Sequence, residues 1–399
     1  MITLFEKKQD CCGCTACKTI CPVSAITMRA DKEGFLYPEI DKALCIECGH
    51  CNSVCAFQNN GVKENNYQQQ IYAMKIKDDK VRKESSSGGA FTAISDVILE
   101  NDGSVYGAAH DVDLSTMHIR ATDANARDRC RGSKYVQSDM RDNFRLIEED
   151  LKAGKEVLFT GTPCQTAGLI SYLTFAGCAT GNLYTADLIC HGVPSPAIFQ
   201  EFLRYVEHKT KKTIKEYLHR PKDTFGWSHN EKIVYTNGTF DDTSKLALIW
   251  KTLFYSNTIL RPACITCKYA GIQRYGDITL ADFWGIEYSM PEFKDESGVS
   301  LIFINSKKGE VLFDQIKDKI LYRKSSIENC RPYQQNLQGP SICHINRDDC
   351  WKLYHKHGFP AIAKKYGGYN KRTIIKEYIK LFLHKIHLLG IIKKILKRQ

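Results

Sequence analysis

Hydrophobic positions in the middle of the chain mark three strand–loop–helix units. Residues 156–160 (EVLFT) break at Gly161-Thr162-Pro163-Cys164-Gln165 and resume as a helical pattern over 166–173. Residues 183–189 (LYTADLI) run into Cys190-His191-Gly192-Val193-Pro194. There Ser195 can cap a helix with Pro196 at its first position, and Ile198, Phe199, Phe202, Leu203 and Val206 supply the apolar face. Residues 299–305 (VSLIFIN) lead through 306–309 into a helix over 310–320. A further helical pattern over 90–99 follows Ser87-Gly88-Gly89, with Phe91, Ile94, Val97 and Ile98 on one face. Alternation of this kind predicts an α/β sheet. Ligands of open α/β sheets bind beyond the carboxyl ends of the strands, the edge at which Cys164 and Cys190 stand.

Around this middle the pattern changes. Residues 1–58 are cysteine-dense, and residues 59–70 (NNGVKENNYQQQ) are polar, amide-rich and read as a linker. The body is taken as 71–150 and 151–345, and residues 346–399 read as helical with a basic end. A chain of 399 residues, 43% hydrophobic and 25% charged, has length for two or three domains with real cores and is not disordered by composition. No run of about 18 uncharged apolar residues appears, and MITLFEKKQDCCGC lacks an apolar signal core. A cytoplasmic location is therefore expected.

The net charge of +11 points at first to nucleic acid. Residues 371–399, however, hold nine Lys/Arg against one acid, Glu377, which puts +8 in the tail and leaves +3 for residues 1–370. A nearly neutral body argues against a nucleic-acid groove. The tail interleaves lysines with Ile374, Ile375, Tyr378, Ile379 and Phe382. A terminal helix with snorkelling lysines is favoured there over a peripheral membrane contact.

Eighteen cysteines in a reducing compartment are poor candidates for disulfides. Two runs share one spacing: Cys11-x2-Cys14-x2-Cys17-x3-Cys21-Pro22 and Cys45-x2-Cys48-x2-Cys51-x3-Cys55. The x2-x2 loop wraps three corners of a cubane, and the fourth cysteine of each run reaches the other cluster. This assigns Cys11, Cys14, Cys17 and Cys55 to one 4Fe-4S cluster, and Cys45, Cys48, Cys51 and Cys21 to the second. Zinc also takes four cysteines, but its paired knuckles have no use for the third cysteine of each loop. Cys12 is out of register and reads as a spare thiol. The segment resembles the bacterial two-cluster ferredoxin, departing at Ala56 where a second proline would stand.

No Gly-x-Gly-x-x-Gly follows a strand and no Gly-x4-Gly-Lys-Ser/Thr is present, which removes support for an ordinary dinucleotide fold and a phosphate-loop ATPase. Another ordered set stands out: Ser85-Ser86-Ser87-Gly88-Gly89, the run from Arg131 to Ser138 (RGSKYVQS), Gly161-Thr162-Pro163-Cys164-Gln165, Cys190-His191-Gly192, Cys264-x2-Cys267, and the run from Gly276 to Gly285 (GDITLADFWG). Behind a two-cluster segment, this set resembles the coenzyme F420 hydrogenase/dehydrogenase beta-subunit family over roughly residues 5–350. Ala281 stands where relatives often have glycine.

The resemblance implies a mixed α+β/α/β chain: a small two-cluster domain, a larger flavin-type α/β domain and a C-terminal helical tail. It also implies FAD, at Ser87, Gly88, Gly89, Ser133, Lys134 and Tyr135. Glycines before a helix let backbone approach an anion, and a hydroxyl, a cation and a ring suit a phosphate beside a stacked isoalloxazine; a plain Gly-rich turn and a solvated strand are the simpler alternatives. Cys164, Cys190, Cys264 and Cys267 number what a third cubane requires. His191, Asp277, Asp282 and Trp284 can line such a site or serve the loops that carry them. Cys130, Cys178, Cys330, Cys343 and Cys350 have no spacing logic and are taken as structural.

The expected function is an iron–sulfur flavoprotein oxidoreductase. It would pass electrons between an organic hydride donor or acceptor, F420 or another small molecule, and an external electron carrier or partner redox subunit. A link with surface-polysaccharide synthesis comes with the resemblance. The competing reading is an electron-transfer or scaffold subunit with no chemistry of its own.

Overall fold

A computed structural model describes residues 2–59, 67–343 and 345–368, with Ile375 and Ile379 beyond them. Most of the expected linker and nearly all of the basic tail lie outside the described residues. The described strands, in chain order, are β1 (Ile26–Ala30), β2 (Leu36–Ile40), β3 (Gln70–Ile76), β4 (Ser104–His110), β5 (Thr116–Ala121), β6 (Val157–Gly161), β7 (Leu183–Leu188), β8 (Ile214–His219), β9 (Glu231–Tyr235), β10 (Phe240–Asp241), β11 (Ile278–Asp282), β12 (Ser300–Ile304) and β13 (Ile320–Ser325).

The chain gathers into two compact units: residues 1–197 with 260–342, and residues 198–259 with 343–399. In the first, β1 and β2 form an antiparallel hairpin with Ile26 opposite Ile40. An eight-stranded sheet runs β13-β3-β12-β11-β7-β6-β4-β5. Strands β4, β6, β7 and β11 are mutually parallel; β5, β12, β3 and β13 pair antiparallel to their neighbours. Mixed sheets of this kind keep the parallel strands central and buried. Residues Leu158 and Phe159 in β6, and all five residues of β12, are buried.

Two of the expected units form, the first with its helix starting at Pro163 where the pattern predicts Thr166. β6 feeds the helix Pro163–Phe175, which opens with Pro163 after Thr162, and Thr162 N–H donates to Gln165 Oε1 at 3.0 Å in a capping box. β7 leads to the helix Pro196–Thr210. Gly161 lies opposite Asp187, so β6 and β7 end nearly level and deliver Cys164 and Cys190 to one edge.

The third unit differs in direction. β12 runs antiparallel to β11, which turns its following loop to the opposite edge. Its helix, Lys307–Gln315, begins earlier than the apolar pattern predicts, because Ser306 caps it by accepting from Gly309 N–H at 3.1 Å.

The segment 1–58 shares part of its core with the body. Ala16, Val54 and Phe57 are buried in one apolar cluster with Phe144, Leu169 and Tyr172 of the body. Bonds from the body seal this seam: Ser171 Oγ donates to Val54 O at 2.8 Å, Lys268 Nζ to Phe57 O at 2.9 Å and Tyr269 OH to Ala56 O at 3.0 Å.

The second unit is an antiparallel sheet β10-β9-β8 with an aromatic core in which Phe199 and Trp250 stand 4.8 Å apart. Within it the helices Arg347–His357 and Phe359–Tyr366 form the described part of the C-terminal region.

Candidate metal centres

The two cysteine loops repeat one backbone with an offset of 34 residues, read from the spacing of Cys11 and Cys45. Gly13 and Glu47, which precede the second cysteine of each loop, are left-handed at φ 73° and 54°. Thr15 and Gly49, which follow it, are left-handed at 71° and 78° and start the short helices Ala16–Thr19 and His50–Ser53. Alternate left-handed residues curl the chain so that three side chains and several N–H groups face one side, the concavity that binds anionic clusters. Thr15 and Glu47 hold this conformation against the Cβ penalty, at a cost of about 1–2 kcal/mol each.

The first set of sulfurs is enclosed. Cys11, Cys14, Cys17 and Cys55 line one cavity. Burial pushes the Cys11 and Cys17 thiols up and Cys55 to about 11, and neighbouring sulfurs of the same set add to the effect. Thiolates this buried require a strong local cation. Thr15 Oγ1 lines the same cavity and is buried without a hydrogen-bond partner, an orphan donor that a cluster sulfide would satisfy.

In the second set, burial raises the Cys51 thiol, with Cys48 and Cys21 contributing. Cys48 is exposed, and Leu44 and Ile46 beside it are 53% and 61% exposed. Each crossing cysteine receives a donor: Ala25 N–H reaches Cys21 Sγ at 3.2 Å and Gln58 Nε2 reaches Cys55 Sγ at 3.6 Å.

Cys164, Cys190, Cys264 and Cys267 line a third cavity at the carboxyl edge of β6 and β7. Cys164 sits in the first turn of the helix Pro163–Phe175, Cys190 two residues past β7, and Cys264 in the helix Pro262–Ile265. Gly192 N–H donates to Cys190 Sγ and Val193 N–H to Cys264 Sγ, both at 3.4 Å. Burial pushes Cys264 up to about 12 and Cys267 to about 11, and raises Cys190 strongly with the other three sulfurs contributing. Among the described residues no three His, Cys, Asp or Glu side chains converge on a point that one metal ion could take.

The residues expected to hold a flavin are brought together and largely spent on the protein itself. Ser133 N–H and Oγ bond Ser86 Oγ at 2.8 and 3.1 Å, which joins the two loops. Ser87 Oγ donates to Val299 O at 2.8 Å. A Cβ on Gly88 would lie 2.3 Å from Met74 O, and one on Gly89 would lie 2.6 Å from Ile76 Cγ2. Both glycines therefore serve close packing on β3 and β12, where a ligand approach was expected. Lys134 Nζ donates to the carbonyls of Arg129, Arg131 and Gly132 at 2.7, 2.8 and 3.2 Å, which uses all three of its protons. Burial lowers its pKa to about 8. Tyr135 is half-buried beside them. As placed, Gly88, Gly89 and Lys134 are engaged by the protein's own backbone and side chains.

The remaining candidates divide. His191 lines the third cavity. Asp277 is buried and ties β7 to β11, accepting from Thr185 N–H and Oγ1 at 2.9 and 2.8 Å and from Ser306 Oγ at 2.6 Å. Asp282 ends β11, and half-buried Trp284 follows core residue Phe283.

Three residues with no register signal matter most. Cys12, read as spare, is buried and walls both the first and the third cavity together with Phe57. Its closeness to Cys14 and Cys164 raises its own thiol and lowers theirs. Arg261 and Gln137, 124 positions apart, bond each other at 3.0 Å beside Cys11 and Cys12. Gln137 lies in the run RGSKYVQS, whereas nothing in the pattern around Arg261 singled it out.

No described helix is long and apolar enough to cross a membrane. Residues 10–59 match the family model of the 4Fe-4S dicluster domain, and residues 154–329 match that of the C terminus of the coenzyme F420 hydrogenase/dehydrogenase beta subunit. No curated protein matches the chain. Among solved structures, a chain of the F420-reducing [NiFe] hydrogenase complex from Methanosarcina barkeri is similar at 18% identity and a TM-score of 0.47, over 72% of this chain and 92% of that one.

Proposed function

We propose that this chain, which joins an N-terminal 4Fe-4S dicluster domain to the C-terminal domain of a coenzyme F420 hydrogenase/dehydrogenase beta subunit, is an iron–sulfur electron-transfer component of an oxidoreductase with three cluster sites. Cys11, Cys14, Cys17 and Cys55 hold the first, Cys21, Cys45, Cys48 and Cys51 the second, and Cys164, Cys190, Cys264 and Cys267 the third. A bound 4Fe-4S cluster supplies one-electron storage at a potential set by its charge, hydrogen bonds and exposure. The observation that carries the reading is the wall shared by the first and third cavities, formed by Cys12 and Phe57. Buried side chains there exclude water between two ligand sets. The exposed loop at Cys48 opens the second set to an external carrier or a partner redox subunit.

The finer reading is a reductase that exchanges hydride with a small organic substrate at FAD, a deazaflavin being one choice and a role in polysaccharide assembly another. The resemblance favours it. The internal use of Gly88, Gly89 and Lys134 favours the other reading, an electron carrier without flavin. Anaerobic purification with iron, acid-labile sulfide and flavin counts separates them. Three clusters predict about twelve iron per chain. About eight would remove the third site, and a colourless zinc protein would remove all three. Stoichiometric flavin would establish the reductase, and its absence from iron-replete protein the carrier.

A further inference from the structure

Arg261 is 1% exposed, and its surroundings are unusual for a buried cation. Its backbone N–H donates to Val193 O at 2.9 Å, which anchors it beside the third cavity that its side chain lines. The guanidinium then reaches back into the N-terminal segment. Nε donates to Cys11 O at 2.8 Å, Nη2 to Leu36 O at 3.0 Å, and Nη2 stands 3.6 Å from Cys11 Sγ. Nη1 donates to Gln137 Oε1 at 3.0 Å, and the group lies 4.2 Å above the ring of Tyr37. Gly13 makes room for it: a Cβ there would stand 2.9 Å from Nη1.

Among the described residues no carboxylate pairs with Arg261; its partners are carbonyls, an amide, a ring and a sulfur. A buried guanidinium without an anion is costly. The anions within its reach are thiolates. Its Nη2 stands 3.6 Å from Cys11 Sγ of the first set, and the residue lines the third cavity together with Cys164 and Cys264.

We infer that Arg261 is the shared counter-charge of the first and third cluster sites, and that it raises the reduction potential of both above what each would have without it. The inference rests on the cluster assignment proposed above. One-electron reduction makes and breaks no bond and adds one negative charge to a ligand set, so a fixed cation nearby favours the reduced form. In a buried site that preference is strong. At the surface of the second set water and salt screen such effects. Arg261 thereby favours the reduced form of these two sites, and it is a positioning residue for charge, with no bond to iron.

The test is a dithionite titration of the full-length, anaerobically reconstituted protein, followed by electron paramagnetic resonance with iron counted in parallel. Cys48→Ala identifies the signal of the second site by its loss. In Arg261→Gln, with wild-type iron, the two other signals are expected to move negative by at least tenfold in the oxidised-to-reduced ratio, 59 mV for one electron. The second site's signal stays. Arg261→Lys, which keeps the charge, is expected to remain within about threefold of wild type. If Arg261→Gln sheds iron, Gln137→Glu replaces it, because a carboxylate beside the guanidinium cancels its charge; the same two signals should fall. Full iron with unmoved signals in either variant overturns the inference. So does an equal shift of all three signals, or a fall in Arg261→Lys as large as in Arg261→Gln. Wild-type protein without iron would instead defeat the cluster assignment itself, a failure seen before any variant is made.

Discussion

The loops at Cys11–Cys17 and Cys45–Cys51 have the same cysteine spacing and the same pair of left-handed residues, yet they live in different surroundings. The first is packed under the body, with Cys14 only 8% exposed, and is crossed by a guanidinium. The second sits at the surface with Cys48 exposed between apolar neighbours. Spacing dictates the local curl of the chain, and the packing around it decides how each ligand set is tuned. Gly13 shows the difference within one residue type. Gly49 is left-handed with nothing within 4 Å of a would-be Cβ, whereas Gly13 is left-handed and pressed against Arg261.

The contrast can be broken most forcefully by removing one ligand from each loop. Cys17→Ala is expected to lose about four iron and several kcal/mol of stability, because its set also holds the seam with the body. Cys48→Ala should lose the same iron with a visibly smaller fall in the unfolding midpoint. Equal falls would show that the seam does not depend on the first set.

Acid reveals the buried side next. His118 is 2% exposed, with Nε2 3.0 Å from Thr160 O and Nδ1 2.9 Å from Ser138 Oγ. Burial depresses its pKa from 6.5 to about 4. Between those values the unfolded chain binds more protons, so stability should fall as pH drops from about 6.5 toward 4, by up to about 3 kcal/mol. Urea unfolding across that range should show the slope in wild type and its loss in His118→Gln.

A finer cut compares the two glycines. Gly49→Ala should cost about 1 kcal/mol from the left-handed backbone alone, and Gly13→Ala about 2–3 kcal/mol because Arg261 must also shift. Denaturant midpoints measure both, and equal costs would mean that Arg261 yields freely. The smallest effect is expected for Cys12→Ala, which should keep full iron, since Cys12 is a wall between cavities and not a ligand. Loss of iron from that variant would make it one.

Much of this was legible in the sequence because the relevant signals are local. Cysteine spacing encodes the two loops, and apolar runs ending in Gly-Thr-Pro-Cys and Cys-His-Gly place Cys164 and Cys190 at one sheet edge. Strand direction is not local: the run at 299–305 reads the same whether parallel or antiparallel, and β12 is the latter. The glycines at 88 and 89 carried an ambiguous signal, since a backbone that lets a ligand in and one that lets a strand in look alike. Cys12, Gln137 and Arg261 meet only in space, Arg261 lying 250 positions from Cys11. No periodicity can announce a contact of that range.

Gly168, midway along the helix Pro163–Phe175, has a consequence for anyone wishing to rebuild this chain. A methyl there would sit 2.7 Å from Cys14 Sγ, so the helix is shaved at the one turn where the amino-terminal lobe leans on it. That lobe is fitted to its host like a key cut for one lock. Transplanting it onto another enzyme as a ready-made wire would mean carrying the groove along as well.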